Sequence, residues 1–392
     1  MRVAFNLIPS ARWTGGYNYL LNLFRAIRSY EADHISPILF CGDDADEHDL
    51  RAFLELGDTE IVRSSVFDAR KKASHIVRAC LFGVDSHAFQ VFRRHRVDVV
   101  FENATFYGRH FPIPTIAWLP DFQHRHLRDQ FGLRAYWRRE LGYRAQVASG
   151  RMIMLSSEDA RKDCERFYRS ATGRTAVVRF ASRISDDVIE ADPEKIVQEY
   201  RLPSRFFYLP NQFWKHKNHL VVIEALGLLK RQGVDVVVAV TGNPLDPRHP
   251  EHIGRLNSRI ESMGLQDHFR ILGVVPRRHV IALMQTCAAL INPSLFEGWS
   301  STVEEARMLG VPMLLSDIAV HREQMEHHAT YFRADDAEGL AANLRNMASA
   351  GSLVTPARTP DARSHERVRR FARDFFTVVE RVLAQPQLKD VA

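Results

Sequence analysis

The sequence predicts an α/β protein built from two doubly wound, Rossmann-like halves, and three observations carry that expectation. Short apolar runs rich in Val, Ile and Phe alternate with longer amphipathic segments, the pattern of βαβ units on a parallel sheet. The alternation breaks once, over residues 182–204, into a polar stretch containing Pro193 and Pro203. With 392 residues, 45% of them hydrophobic and 26% charged, the chain is ordinary globular material for two or three domains.

Taken in order, the first half reads as strands over residues 3–7, 38–41, 97–101, 115–119 and 152–156. Helices are expected over 17–29, 87–95, 133–148 and 157–167. After the polar stretch, strands are expected over 206–209, 234–241, 269–272, 288–291 and 312–316, with helices over 219–232, 249–263, 279–285 and 301–309. A loop with Pro356 and Pro360 follows over 351–363. The segment 364–385 then carries Val368, Phe371, Phe375, Phe376, Val379 and Val382 at helical spacing. Domains are therefore expected over 1–185 and 204–363, with loops at the carboxyl ends of the strands facing a central cleft.

Several function classes fall away. No apolar run approaches the roughly 18 residues of a membrane span, and residues 1–9 lack the apolar core and cleavage site of a signal peptide. Cys41, Cys80, Cys164 and Cys287 are scattered without CxxC spacing, which suits free thiols in a reducing compartment. A cytoplasmic protein is expected. The formal charge of +6 is too small to mark a nucleic-acid binder. No GxGxxG or Walker A sequence occurs.

Two loops carry chemistry instead. Thr14-Gly15-Gly16-Tyr17 reads as a tight turn after the first strand that opens a helix, where backbone amides favour anions; the same four residues also suit an ordinary βα turn. Asn292-Pro-Ser-Leu-Phe-Glu297-Gly298-Trp299-Ser300-Ser301-Thr-Val-Glu304-Glu305 follows an apolar strand and precedes a helix. Ser301 with Glu304 three residues later reads as a capping box. Glu297 then sits in the loop and Glu305 in the first helical turn. Two carboxylates beside an anion-attracting helix end suit the hydroxyls of a sugar or ribose; Glu305 could equally offset the helix dipole, paired with Thr302.

The Glu297-x7-Glu305 spacing, with Gly298 and an aromatic next to it, resembles the E-x7-E signature of glycosyltransferase family 4. A second match is Leu209-Pro-Asn211-Gln212-Phe-Trp-Lys215-His-Lys217-Asn218-His219. Together with Phe296-Glu-Gly-Trp-Ser and Ser316-Asp-Ile-Ala-Val-His-Arg322-Glu-Gln, it is similar to a bacterial O-antigen and capsule subset of that family. More thinly, Trp118-Leu-Pro-Asp121-Phe-Gln-His124-Arg-His126 and Ser156-Ser-Glu-Asp159 resemble elements of the same subset.

The resemblance implies a GT-B fold whose C-terminal helix returns to the N-terminal domain, and a retaining, metal-independent hexosyltransferase. The donor would be a nucleotide sugar, with mannosyl or rhamnosyl as the unit moved, and the acceptor a growing, lipid-linked surface polysaccharide. Glu297, Lys217, His124 and Asp121 would be catalytic. Glu305, Gln212, Asn211, Gly298, Trp299, Ser300, Ser301, Gly15, Gly16, Gly242 and Asn243 would hold the donor. Lys217 matches the family's diphosphate lysine. Gln212 stands where the family has an arginine, so the resemblance leaves a cation to be found, and Arg12, Arg322 and Lys215 are the candidates. Ser300 likewise replaces a family glycine. These departures also suit a nucleotide-sugar-binding subunit without turnover. A nucleotide-sugar epimerase or a sucrose-synthase-like enzyme on the same fold is a further alternative.

Residues 125–151 hold seven arginines against Asp129 and Glu140, a local charge of +5, with Leu133, Tyr136, Trp137 and Leu141 interleaved. Two readings follow: a peripheral contact with the inner face of the plasma membrane, or a solvated helix face whose apolar residues pack inward.

Overall fold

The computed structural model describes residues 1–57, 59–103, 105–183, 192–349 and 363–385. The chain divides into two compact units. One comprises Met1–Phe122, Leu133–Ser182 and His365–Ala392; the other comprises Gln123–Gly132 and Arg183–Ser364.

In the first unit the chain runs β1 (Arg2–Asn6), α1 (Thr14–Tyr30), β2 (Ser36–Cys41), α2 (Glu47–Leu54), β3 (Glu60–Arg63), α3 (Lys72–Phe82), α4 (Ser86–Arg94), β4 (Val99–Asn103) and β5 (Thr115–Trp118). After the short α5 (Gln123–His126), which belongs to the second unit, come α6 (Leu133–Ala148), β6 (Met152–Leu155), α7 (Glu158–Phe167) and β7 (Thr175–Val177). All strand pairs are parallel, in the order β3-β2-β1-β4-β5-β6-β7. Helices cover both faces of such a sheet, so central strands read as continuous apolar runs; Val3, Ala4 and Phe5 are fully buried.

The second unit contains α8 (Pro193–Glu199), β8 (Phe207–Leu209), α9 (His219–Arg231), β9 (Val238–Thr241), α10 (His252–Ser262), β10 (Phe269–Gly273), α11 (Arg277–Thr286) and β11 (Leu290–Asn292). It continues with α12 (Ser301–Met308), β12 (Met313–Ser316), α13 (Ala319–Met325), β13 (Thr330–Phe332) and α14 (Ala337–Ser349). Its parallel order, β10-β9-β8-β11-β12-β13, repeats that of the first sheet. Each sheet therefore reverses direction beside its own first strand, and the loops leaving that point are the natural ligand position.

The final helix, α15 (Ser364–Leu383), completes the first unit, as the resemblance implies. Phe375 lies 5.8 Å from Phe5 and 5.9 Å from Phe101, while Phe371 meets Tyr19 edge-on at 5.5 Å.

Two expectations change here and one lies outside the described residues. Gly15 and Gly16 are not a turn: α1 begins at Thr14, so both lie in its first turn. Glycine is needed at Gly16 because a Cβ there would overlap the Trp13 indole, which stacks on Trp118 at 5.3 Å. Pro193 does not mark a linker but occupies the start of α8, where its missing N–H costs nothing, and Asp192 caps that helix through the Lys195 amide. The proline loop expected over 351–363 lies, apart from Arg363, outside the described residues, as do 184–191 of the polar stretch.

Candidate functional site

The site grows from the loops that leave β8 and β11, the adjacent strands where the second sheet reverses. After β8 the chain passes Pro210 and Asn211, makes one 3₁₀ turn over Lys215–Lys217, and enters α9 through Asn218. Asn218 takes the left-handed conformation (φ 56°, ψ 42°), which asparagine tolerates better than most residues. Its amide donates to Pro293 O at 3.1 Å and Ala334 O at 2.8 Å, pinning this loop to those after β11 and β13. Gly242, at φ 144°, lets the β9 loop approach the Asn211 carbonyl, a space that a Cβ would fill. Gln212 faces the same loop, where its Oε1 accepts the Asn243 N–H at 2.8 Å.

The β11 loop is held by a chain of amides. Asn211 donates to Asn292 Oδ1 at 3.2 Å, and Asn292 donates to Ser300 Oγ at 2.9 Å. Gln324 clamps the Ser300 backbone from both sides, at 3.1 and 3.0 Å. The cap of α12 is Ser300, whose hydroxyl accepts the Val303 N–H; the sequence reading placed it one residue late, at Ser301. Ser300 thus has a structural task. Ser301 and Thr302 supply amides of the first helical turn, whose donors have no partner within the helix. Glu305 falls just beyond that turn.

Lys217 and Glu297 meet at the centre. Lys217 Nζ lies 2.5 Å from Glu297 Oε1, with the two side chains only 14% and 9% exposed. The Ser294 hydroxyl lies 2.7 Å from both Glu297 Oε1 and Asn292 Oδ1 and can donate to one at a time. Two buried histidines flank the pair as neutral rings. Burial lowers the pKa of His321, whose Nδ1 lies 2.9 Å from Ser316 O, and pushes that of His219 down to about 3. His219 stacks on Phe213 at 4.4 Å.

A residue absent from the sequence reading joins the site. Arg277, at the start of α11, donates to Glu305 Oε1 at 2.9 Å. Its only sequence signal is Pro276-Arg277-Arg278 opening a helix after a strand that ends in glycine. Of the three cations that the sequence offers for the missing arginine, two have carboxylate neighbours of their own and the third stands in the other unit. Arg322 forms two hydrogen bonds with Asp317 and sits over the Tyr331 ring; Lys215 is 3.7 Å from Asp129; Arg12 belongs to the first unit.

The remaining candidates divide between the units. Gly15, Gly16 and Asp121 lie in the first, where Asp121 is 3.2 Å from Arg139 and its carbonyl accepts the Tyr143 hydroxyl at 3.1 Å. His124 lies in the second, on the segment Gln123–Gly132. Arg248 donates to Gln123 Oε1 at 3.1 Å and covers the Phe131 ring at 4.9 Å, and His126 lies 5.1 Å from Phe296. His124 itself is fully buried, edge-on to Phe131.

The arginine-rich stretch is less basic at the surface than its count suggests. Arg151 is buried against Glu102 at 2.9 Å, and Arg144 pairs with Glu140 at 2.6 Å. Its apolar residues do not all pack inward: Tyr136, Tyr143 and Val147 are buried, whereas Leu133, Trp137 and Leu141 are exposed.

Chemically, the second unit offers an ammonium, a guanidinium and helix-end amides for an anion, with two carboxylates suited to hydroxyls. Residues 193–354 match the family model described as glycosyl transferases group 1, a span that contains all of these groups. The fold is similar to a glycosyltransferase from Rickettsia africae (TM-score 0.69, 15% identity, covering 98% of this chain and 99% of that one). It is also similar to Anabaena HepE in complex with UDP and glucose (0.65, 15%, 97% and 98%). A third similar structure is WaaG, a glycosyltransferase involved in lipopolysaccharide biosynthesis (0.62, 15%, 98% and 98%). These likenesses identify the architecture as GT-B.

Proposed function

We propose that this chain is a family 4-like, metal-independent glycosyltransferase that moves a hexosyl unit, mannosyl or rhamnosyl, from a nucleotide-sugar donor to a growing lipid-linked polysaccharide with retention of configuration. One observation carries the reading: the Lys217–Glu297 pair beside the amide end of α12, with Glu305 and Arg277 at its next turn. In this reading Lys217 and the amides around Gly298–Ser301 take the charge that builds on the departing diphosphate. Glu305 binds ribose hydroxyls and Glu297 the sugar near the reacting carbon. Asn211, Gln212, Trp299, Gly242 and Asn243 border the donor. Asp121 and His124 act on the sugar, Gly15 and Gly16 complete the site from the first unit, and residues 125–151 contact the membrane. The family-model match and the UDP complex of a similar structure support the donor class.

A second reading, a nucleotide-sugar-binding subunit without turnover, is favoured by Gln212: it has no charge, and its oxygen is already engaged by the Asn243 amide. A thermal-stabilisation screen of nucleotide sugars, followed by transfer assays on Glu297→Ala, separates the two. Stabilisation with turnover, lost in Glu297→Ala by roughly a hundredfold or more, supports the transferase. Stabilisation without turnover on any lipid-linked acceptor supports the second reading, and no stabilisation overturns both.

A further inference from the structure

Seven of the thirteen exposed large apolar side chains among the described residues lie on just two helices of the first unit, α3 and α6. On α3, Ile76, Val77, Leu81 and Phe82 face solvent, the last two at 73% and 75% exposure. On α6, Leu133, Trp137 and Leu141 stand one turn apart on the outer face, with Leu133 at 68%. Isolated exposed leucines are unremarkable, but a concentration of this kind marks an interaction surface.

The charges around these residues say what the surface suits. Helix α3 carries no acidic residue, and the single acid of α6, Glu140, is fully buried against Arg144 and Tyr168. Arg134 and Arg138 are exposed between the apolar residues of α6. Lys72, at the start of α3, has its pKa lowered to about 8, first by burial and then by the charges of Arg12 and Arg138, which places the start of α3 near α6. Among the described residues no carboxylate pairs with Arg12, Lys72, Arg134 or Arg138. Unneutralised cations interleaved with protruding Phe, Leu and Trp complement a surface that is anionic outside and apolar beneath.

We propose that α3 and α6 together form a docking surface for an anionic lipid bilayer, with Leu81, Phe82 and Trp137 entering the acyl boundary and Arg134 and Arg138 meeting the headgroups. This deepens the proposed membrane contact of residues 125–151, because α3 becomes an equal partner. It does not depend on what the second unit binds.

Cys80 supplies a probe, since it is exposed within the α3 face whereas Cys41, Cys164 and Cys287 are buried. The full chain, labelled at Cys80 with a polarity-sensitive dye, is mixed with phosphatidylcholine vesicles with and without phosphatidylglycerol. The emission should shift to the blue only with phosphatidylglycerol, and high salt should reverse the shift. In co-sedimentation of unlabelled protein, Leu81→Glu/Phe82→Glu and Arg134→Glu/Arg138→Glu should each lower partitioning roughly tenfold or more. Donor stabilisation of Leu81→Glu/Phe82→Glu should stay as in the parent, which also shows that it folds. If donor binding fails while vesicle binding stands, both readings of the second unit fall and the docking surface is kept. No vesicle binding, equal binding to neutral vesicles, or partitioning untouched by the α3 variant overturns the surface. So does a dimer in sedimentation velocity that the α3 variant dissolves, because a second copy would then be the occupant.

Discussion

The two sheets share one strand order, and the aromatic packing on the strands of the first contrasts with the hydrogen-bonded loops that leave the second. Around β1, β4 and β5 the first unit places Phe5, Phe101 and Trp118, closed over by Phe371 and Phe375 of α15. Around β8 and β11 the second unit places Asn211, Asn292, Ser294, Lys217 and Glu297, joined by hydrogen bonds into one polar web. A doubly wound sheet supplies faces to pack and loop ends to carry chemistry, and the residues on each decide what holds it together. The first centre rests on shape and apolar area, the second on paired charge and satisfied amides. Each should therefore fail under a different insult.

The largest effect is expected at the polar centre. Lys217→Met leaves Glu297 almost buried without its cation and should cost roughly 3–5 kcal/mol of stability. Lys217→Met/Glu297→Leu removes both charges and should recover most of that loss while remaining inactive. Denaturant unfolding measures both, and a double variant no more stable than the single would mean that the pair does not hold the loops. In the aromatic centre, Phe375→Ala should cost about 3 kcal/mol through the cavity it leaves against Phe5 and Phe101. A loss below about 1 kcal/mol would show that α15 contributes little to that core.

The effect that is smallest at neutral pH is the one that depends on pH. His219 titrates near 6.5 when unfolded and is held to about 3 in the fold by burial. Between those values the unfolded chain binds the proton and the folded chain does not. Stability therefore falls as the pH drops from 6.5 toward 3, by at most about 1.4 kcal/mol per pH unit from this residue. His219→Phe, which keeps the stack on Phe213, should flatten the acid limb of a melting-temperature profile; an unchanged profile would place the acid sensitivity elsewhere.

Several long helices were legible in the sequence because their apolar periodicity is redundant: α6 runs over Leu133–Ala148, as expected, and α15 carries the stripe that was read for it, whereas α3 and α14 were not read. Of the four edge strands only β10 was legible. β3, β7 and β13 have three or four residues and exposed or half-exposed positions, so no alternation or apolar run marks them. The two carboxylates of the E-x7-E spacing were visible as a pattern, but Arg277, 28 residues from Glu305, reaches it only through the packing of α11 beside α12. Helix α6 shows a different limit. Tyr136, Tyr143 and Val147 form one helical stripe, and Leu133, Trp137 and Leu141 form another. The pattern reveals both stripes, and only the rest of the fold decides which is covered.

The order of elements along the chain has a consequence for how the protein is made. The first unit takes α15 from beyond the whole of the second, so Phe5 and Phe101 wait for Phe375 until translation has passed through residues 183–364. During that interval the nascent first half carries an unfinished aromatic face, the kind of surface that recruits chaperones or aggregates. A gene cut after residue 182 would make that interval permanent, so the two halves, so alike in topology, are not interchangeable modules.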